Sequence, residues 1–273
     1  MQAEQLLREG RADECLAELL KEVRGNPADA KLRVFLFQLL SIQGEWDRAL
    51  TQLNVAADLD AKNLLMAQVY RQALQCEALR EEVFAGNRSP LIFGEPQEWV
   101  GWMVQANQMA AQGKYLAAGK LRDRAFEAAP AAAGSVNGRP FEWIADADTR
   151  LGPILETIIE GRYFWTPFHA IREVVIEEPS NLRDMVWIPA QFTWPNGGTC
   201  PGLIPTRYAG SHKSDDASVR MARKTDWMEH EGGHFEGLGQ RLLATDNTEY
   251  PLLEIRRVVI GDAGAEPTSG NSS

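Results

Sequence analysis

His230 and His234 are separated by three residues, with Glu231 directly after the first, and this string is where residue types and spacing come closest to chemistry. On a helix the pattern H-E-x-x-H sets two imidazoles one turn apart on a zinc ion and leaves the glutamate to activate water. That geometry needs the helix, because only helical spacing puts both rings on one face. Gly232 and Gly233 lie between the histidines and Gly237 follows, and two glycines cost about 2 kcal/mol of helix propensity relative to alanine. The remaining histidines, His169 and His212, stand in no ligand motif, although a carboxylate could supply a third ligand. The expectation is two histidines flanking a glycine turn between strands, with no metal, cofactor or catalytic residue. A zinc-dependent hydrolase built on His230, Glu231 and His234 is the competing reading.

Other chemistry is thinner. The chain has no GxxxxGK[ST] phosphate loop, no GxGxxG after a strand, no Cys-x-x-Cys and no GxSxG elbow. Neighbouring carboxylates such as Glu81-Glu82, Glu177-Glu178 and Asp215-Asp216 point apart on a helix or strand, so they read as solvated surface. His169, after Trp165-Thr166-Pro167-Phe168, reads as a packing histidine.

Composition narrows the partners. The formal charge of −10 and the lack of a basic patch disfavour nucleic acid and anionic membrane. Cys15, Cys76 and Cys200 are widely spaced, which fits reduced thiols better than a disulfide framework. Residues 1–10 lack the basic-then-apolar pattern of an export signal, and no apolar run approaches the roughly 18 residues that span a bilayer. A soluble, cytoplasmic protein is expected.

The elements that would carry any site begin with helices. Leu32, Phe35, Leu36, Leu39 and Leu40 recur at helical spacing, Gly44 breaks the run, and Trp46, Ala49, Leu50, Leu53 and Ala56 resume it. Gly44, Trp46, Ala49, Leu53, Ala56 and Ala61 are echoed 34 residues earlier by Gly10, Ala12, Cys15, Leu19, Glu22 and Pro27. They are echoed 69 residues later by Gly113, Tyr115, Ala118, Arg122, Ala125 and Pro130. The pattern resembles the tetratricopeptide repeat, in which stacked helical hairpins bury what one pair cannot. Glu22 and Arg122 depart from it, standing where an apolar or small residue is usual. Between the repeats, Asn63 to Phe84 reads as one long helix with Leu65, Val69, Ala73, Cys76, Leu79 and Val83 on a single stripe. Trp99, Trp102, Met103, Ala106 and Ala110 define the next helix as a core-forming one.

At Pro130 the character changes. Residues 131–140 read as a linker, 141–260 as a mostly β domain, and 261–273 as a disordered tail of Gly, Ser, Pro and acidic residues. Leu155 to Ile159, a turn at Glu160-Gly161, and Arg162 to Trp165 predict a hairpin. Val186, Ile188, Ala190, Phe192 and Trp194 alternate as a strand, in which Pro189 predicts an edge or a bulge. Asn196-Gly197-Gly198 turns the chain back to a partner strand over 199–205. Tyr208 to Ala222 reads as an exposed loop, and strands are predicted around 225–231, 235–244 and 252–260. The fold class is α+β: a helical repeat domain over 1–130, then a small SH3-like barrel or twisted sheet.

Three second-half stretches carry a further likeness: Glu160-Gly161-Arg162-Tyr163-Phe164-Trp165-Thr166-Pro167-Phe168, Leu182-Arg183-Asp184-Met185-Val186-Trp187-Ile188-Pro189-Ala190, and Pro205-Thr206-Arg207-Tyr208. With a repeat-bearing first half, they resemble the ImpE family, also called TagJ, accessory proteins of bacterial type VI secretion. The resemblance covers the chain except its tail. It implies a cytoplasmic, non-enzymatic adaptor that binds the N-terminal helix of TssB, the small subunit of the contractile sheath, and links the sheath to the ClpV ATPase that recycles it. No family catalytic residue is carried over.

An amphipathic helix can lie in the groove of stacked helical hairpins. By analogy with other tetratricopeptide arrays, Val34, Gln38 and Ile42 of the central repeat and Met103 and Asn107 of the last would line such a groove. A sheet edge, or a cleft between the sheet and the repeats, is the alternative seat.

Overall fold

Helical periodicity becomes seven helices in the first half of the computed structural model, which describes residues 2–95, 97–231 and 234–261. Helix α1 (Gln2–Arg8) pairs with α2 (Ala12–Gly25), α3 (Ala30–Ile42) with α4 (Trp46–Leu59), and α6 (Glu98–Ala111) with α7 (Tyr115–Ala128), while the long α5 (Leu64–Phe84) stands between the second and third pairs. The repeated glycine has a stereochemical cause. Gly10, Gly44 and Gly113 have φ of 79°, 74° and 74°, a left-handed conformation that ends a helix and that a Cβ disfavours. Asp29 caps α3 by accepting hydrogen bonds from the Lys31 and Leu32 amides.

The second half is a larger sheet than an SH3-like barrel. Its strands are β1 (Leu91–Ile92), β2 (Gly134–Val136), β3 (Arg139–Phe141), β4 (Ile144–Asp146), β5 (Ile154–Ile159), β6 (Arg162–Pro167), β7 (Glu173–Ile176), β8 (Trp187–Thr193), β9 (Thr199–Pro205), β10 (Thr225–His230), β11 (His234–Gly239), β12 (Leu242–Thr245), β13 (Glu249–Pro251) and β14 (Arg257–Ile260). Nine of them form one sheet in the order β1-β6-β5-β9-β8-β7-β14-β2-β3, antiparallel except at β1–β6. A three-stranded sheet β13-β12-β4 and the β10–β11 hairpin complete the second half.

The predicted hairpin over 155–165 is β5–β6, with Glu160 and Gly161 both at positive φ as a tight two-residue turn demands. Pro189 sits in an interior strand without breaking the ladder. Its carbonyl accepts from the Glu177 amide on the β7 side, past the last β7–β8 pair, Ile176–Ala190. The missing N–H therefore faces the end of β7, beyond the last paired residues, and the β8–β9 ladder runs through Pro189 opposite Leu203.

Three expectations are corrected. Residues 131–140 are not a linker: β2 and β3 form a hairpin through Asn137-Gly138, and β2 pairs with β14. Tyr208 to Ala222 is not an exposed loop, since Tyr208, Ser211, Val219, Met221 and Ala222 are buried and a short helix, α8 (Ala217–Arg220), forms within it. Just before it, Arg207 donates to the Ile42 carbonyl at 2.7 Å and to the Ser41 carbonyl at 2.9 Å, where the end of α3 leaves acceptors unpaired. Finally, the helices and the sheet share one core. Trp165, Trp187, Tyr163, Ile154 and Ile158 pack into the same cluster as Leu36, Phe37 and Leu39. Strand β5 is buried along its whole length, and its alternation sends Leu155 to a second core on the other face with Ile188, Phe192, Ile204 and Val258. The predicted tail, beyond Gly261, lies outside the described residues.

Candidate functional site

The residues predicted to line a repeat groove are committed to the chain itself. Gln38 is buried and its Oε1 accepts from the Arg183 backbone amide at 3.2 Å. Ile42 and Met103 are fully buried, and Asn107 donates to the Val83 carbonyl at 2.7 Å. Val34 alone of the five is partly exposed. The turn of residues 182–185 and the 205–222 segment cover the face of α3 that a partner would have needed.

An open apolar surface does exist on α5. The single apolar stripe of α5 is core from Ala73 through Cys76 to Val83. Its first two turns overhang the sheet: Leu64 is 54% exposed, Leu65 74% and Val69 39%. Between this overhang and the sheet runs a groove of about 730 Å³, floored by Tyr70, Ile158 and Leu203 and walled by Met66, Pro189 and Cys200. Lys62, Glu160 and Arg183 stand at its rim. Arg183 also lies over the Tyr70 ring at 4.9 Å, which fixes one wall. Among the described residues the three cysteines are free, and burial pushes the Cys200 thiol above its usual range. Groove residues are hard to find in a sequence because Leu65 and Val69 obey the same periodicity as the buried residues that follow them.

Beneath the groove a buried polar network fixes α5 to the sheet. Arg80 donates from Nε to Glu156 Oε1 at 2.6 Å and from Nη2 to Glu156 Oε2 at 2.8 Å. Arg241 bonds the same carboxylate and Asp146, and the Tyr163 hydroxyl donates to Glu156 at 2.5 Å. Glu77, one turn before Arg80, accepts from the Trp187 indole at 2.9 Å. Burial disfavours a charged Glu156, yet Arg80 and Arg241 outweigh it and hold the carboxyl down at about 2.

The histidine pair lies elsewhere. His230 ends β10 and His234 begins β11, so the string H-E-x-x-H spans a hairpin rather than a helix. The structure brings the two rings together all the same, because they pair directly across the ladder, and it adds a carboxylate the motif does not contain. His234 Nε2 is 2.9 Å from Glu236 Oε1, and His230 Nε2 is 3.6 Å from the same atom. Tyr115, at the start of α7, stacks on His230 with ring centroids 4.1 Å apart. Arg150 approaches Glu236 Oε2 at 3.6 Å and is itself held by Asp148 at 2.5 Å. Burial alone would raise the Glu236 carboxyl, but its bond to His234 and the charge of Arg150 bring it to about 2. A His-x-Glu pair on a strand was the signal available in the sequence, since alternate residues share a face. His169 packs beside Trp99 and bonds Gln97 at 3.1 Å, as a packing histidine should.

Comparison with known proteins follows this geometry. Over 260 residues the chain is 48% identical to the type VI secretion system accessory component TagJ of Pseudomonas aeruginosa, covering 94% of this chain and 90% of the relative. The model of the ImpE protein family matches residues 138–259. The chain belongs to the ImpE/TagJ family. A crystal structure of protein VPA1032 from Vibrio parahaemolyticus superposes with a TM-score of 0.88 at 25% identity, covering 96% of this chain and 98% of that one. The likeness of this ImpE/TagJ chain to its relatives thus spans helices and sheet together, as the shared core requires. Among the described residues no helix is long and apolar enough to cross a membrane.

Proposed function

We propose that this chain is a non-enzymatic accessory protein of bacterial type VI secretion and that it works by binding an amphipathic helix, the N-terminal helix of the small sheath subunit TssB. Support for the secretion role is the similarity to the P. aeruginosa accessory component over nearly the whole length of both chains. The observation that carries the binding mode is the groove beside α5, where Leu65 and Val69 present an apolar ridge one helical turn apart above Tyr70 and Leu203. A peptide helix with apolar residues at i, i+3, i+4 and i+7 fits such a ridge and floor. Burying two large aliphatic side chains there contributes roughly 1.5–3 kcal/mol each. A chain holding the sheath subunit in this way would stand between the sheath and the ClpV ATPase.

Calorimetric titration of the full chain with a synthetic peptide of that sheath helix tests the proposal, with a scrambled peptide as control. Saturable one-to-one binding, abolished by scrambling, is expected. Leu65→Asp and Val69→Asp should each weaken it by about 2 kcal/mol, roughly thirtyfold, as central apolar contacts do, while leaving the thermal midpoint unchanged because both side chains are exposed. Cys200 lines the same groove, so bound peptide should slow its alkylation. Absence of heat, or binding indifferent to both substitutions and to Cys200, would refute the groove.

A further inference from the structure

The end of the β10–β11 hairpin gathers three side chains of the kinds that ligate transition metals. His230 and His234 are a direct cross-strand pair, and Glu236 lies two residues beyond His234, so the pleat puts all three on one face. One nitrogen or oxygen from each lies within 4.8 Å of the other two. Ligand atoms bound at about 2.0–2.2 Å to a tetrahedral zinc ion are spaced about 3.4 Å apart. The observed 2.9 Å and 3.6 Å from Glu236 Oε1 to the two Nε2 atoms straddle that spacing.

As a hydrogen-bonded cluster the set is incomplete. His230 Nε2 is buried without a partner at bonding distance, and so is His234 Nδ1. Two nitrogens, one on each ring, both face the single oxygen Glu236 Oε1, which leaves His230 too far to bond. Arg150 approaches the other oxygen, Oε2, at 3.6 Å, while Oε1 faces the histidines. Tyr115 lies nearly parallel to the His230 ring, at 16°, and restricts its rotation. His234 has a fully buried side chain, whereas those of His230 and Glu236 are 24% and 19% exposed, so the cluster opens to solvent on one side.

We propose that His230 Nε2, His234 Nε2 and Glu236 Oε1 bind one divalent transition-metal ion of the zinc class, with water in the fourth position. Two imidazoles select such an ion over calcium or magnesium, which take oxygen ligands. Binding replaces the His234–Glu236 hydrogen bond and gives the buried His230 nitrogen a partner. Asp148 and Glu236 balance the two guanidiniums that act here, Arg150 and Arg122, so the cluster carries no net positive charge to exclude a cation. Glu231, the water-activating position of the helical motif, has no part in the site, which ties the hairpin to α7 through Tyr115 and implies no hydrolysis.

The test uses the full chain stripped of metal with a chelator and titrated with Co²⁺. A visible d–d absorption of tetrahedral intensity, saturating at one equivalent and bleached by Zn²⁺, is the expected result, together with a Zn²⁺-dependent rise in the thermal midpoint. His230→Asn and Glu236→Gln should each abolish the absorption and weaken Zn²⁺ binding at least about tenfold, and Glu231→Gln should bind as the parent does. Far-UV circular dichroism of each variant confirms that it is folded. No absorption at stoichiometric Co²⁺ in the parent would overturn the proposal. So would binding that survives in folded His230→Asn and Glu236→Gln, or is lost in Glu231→Gln.

Discussion

Glu156 illustrates how single residues hold this molecule in one arrangement. It is fully buried, yet ionised, because Arg80 from α5, Arg241 ahead of β12 and the Tyr163 hydroxyl all converge on its carboxylate. Glu156→Ala takes the shared carboxylate from two buried guanidiniums, leaving Arg80 to Glu77 and Arg241 to Asp146, and we expect a loss of roughly 3–5 kcal/mol in urea unfolding. His212 is a second residue with a measurable signature. Its ring is wedged against Trp46, with centroids 5.4 Å apart, and faces Glu81 at 3.4 Å. Burial lowers its pKa to about 4, with Glu81 opposing and Arg207, Lys213 and Arg80 adding to the effect. The unfolded chain therefore binds a proton near pH 6.5 that the folded chain refuses until about 4, so stability should fall as pH is lowered through that window. His212→Asn should flatten this part of the pH profile of the urea midpoint.

Among the elements, the helix-to-helix turns divide into free and constrained kinds. Gly44 and Gly113 have the same φ of 74°, so an alanine at either costs about 1 kcal/mol in backbone strain. A Cβ at Gly44 would also stand 2.3 Å from the His212 ring, whereas one at Gly113 meets nothing within 4 Å. Gly44→Ala should therefore lower the thermal midpoint clearly more than Gly113→Ala does. Sequence periodicity marks both glycines as equivalent repeat positions, and only the docking of residues 208–222 makes them unequal. The same limit applies to α5: its apolar stripe was visible, but which turns of it remain exposed depends on where the sheet ends beneath them. It applies again to the 131–140 segment, where Asn137-Gly138 is a hairpin signal whose strands are too short to show alternation.

For the whole molecule, the shared core predicts one folding unit. Trp165, Trp187 and Tyr163 are fully buried in a cluster to which all seven helices contribute, so residues 1–130 alone would expose that apolar face to water. The full chain should unfold in a single transition, with tryptophan fluorescence and far-UV circular dichroism coincident. Residues 1–130 alone should show no cooperative transition. Two independent transitions in the full chain would refute this view of the core. The arrangement also explains why the open apolar groove lies at the junction of α5 and the sheet rather than along the repeats.

Short-range physics was enough to read the seven helices, the β5–β6 and β8–β9 hairpins and the α+β class, because helical period, strand alternation and turn-forming glycines act between residues close in the chain. The glycine pair between His230 and His234 likewise disfavoured a helix there on local propensity alone. What remained depended on contacts between distant segments: the burial of Gln38 and Ile42 beneath residues 182–207, the exposure of Leu65 and Val69, and the convergence of Glu236 on two histidines across a ladder. Burial, exposure and cross-strand register follow from which surfaces meet. In this chain the sheet closes over the repeats, so the tertiary contacts decided which surfaces stay open and which polar side chains converge.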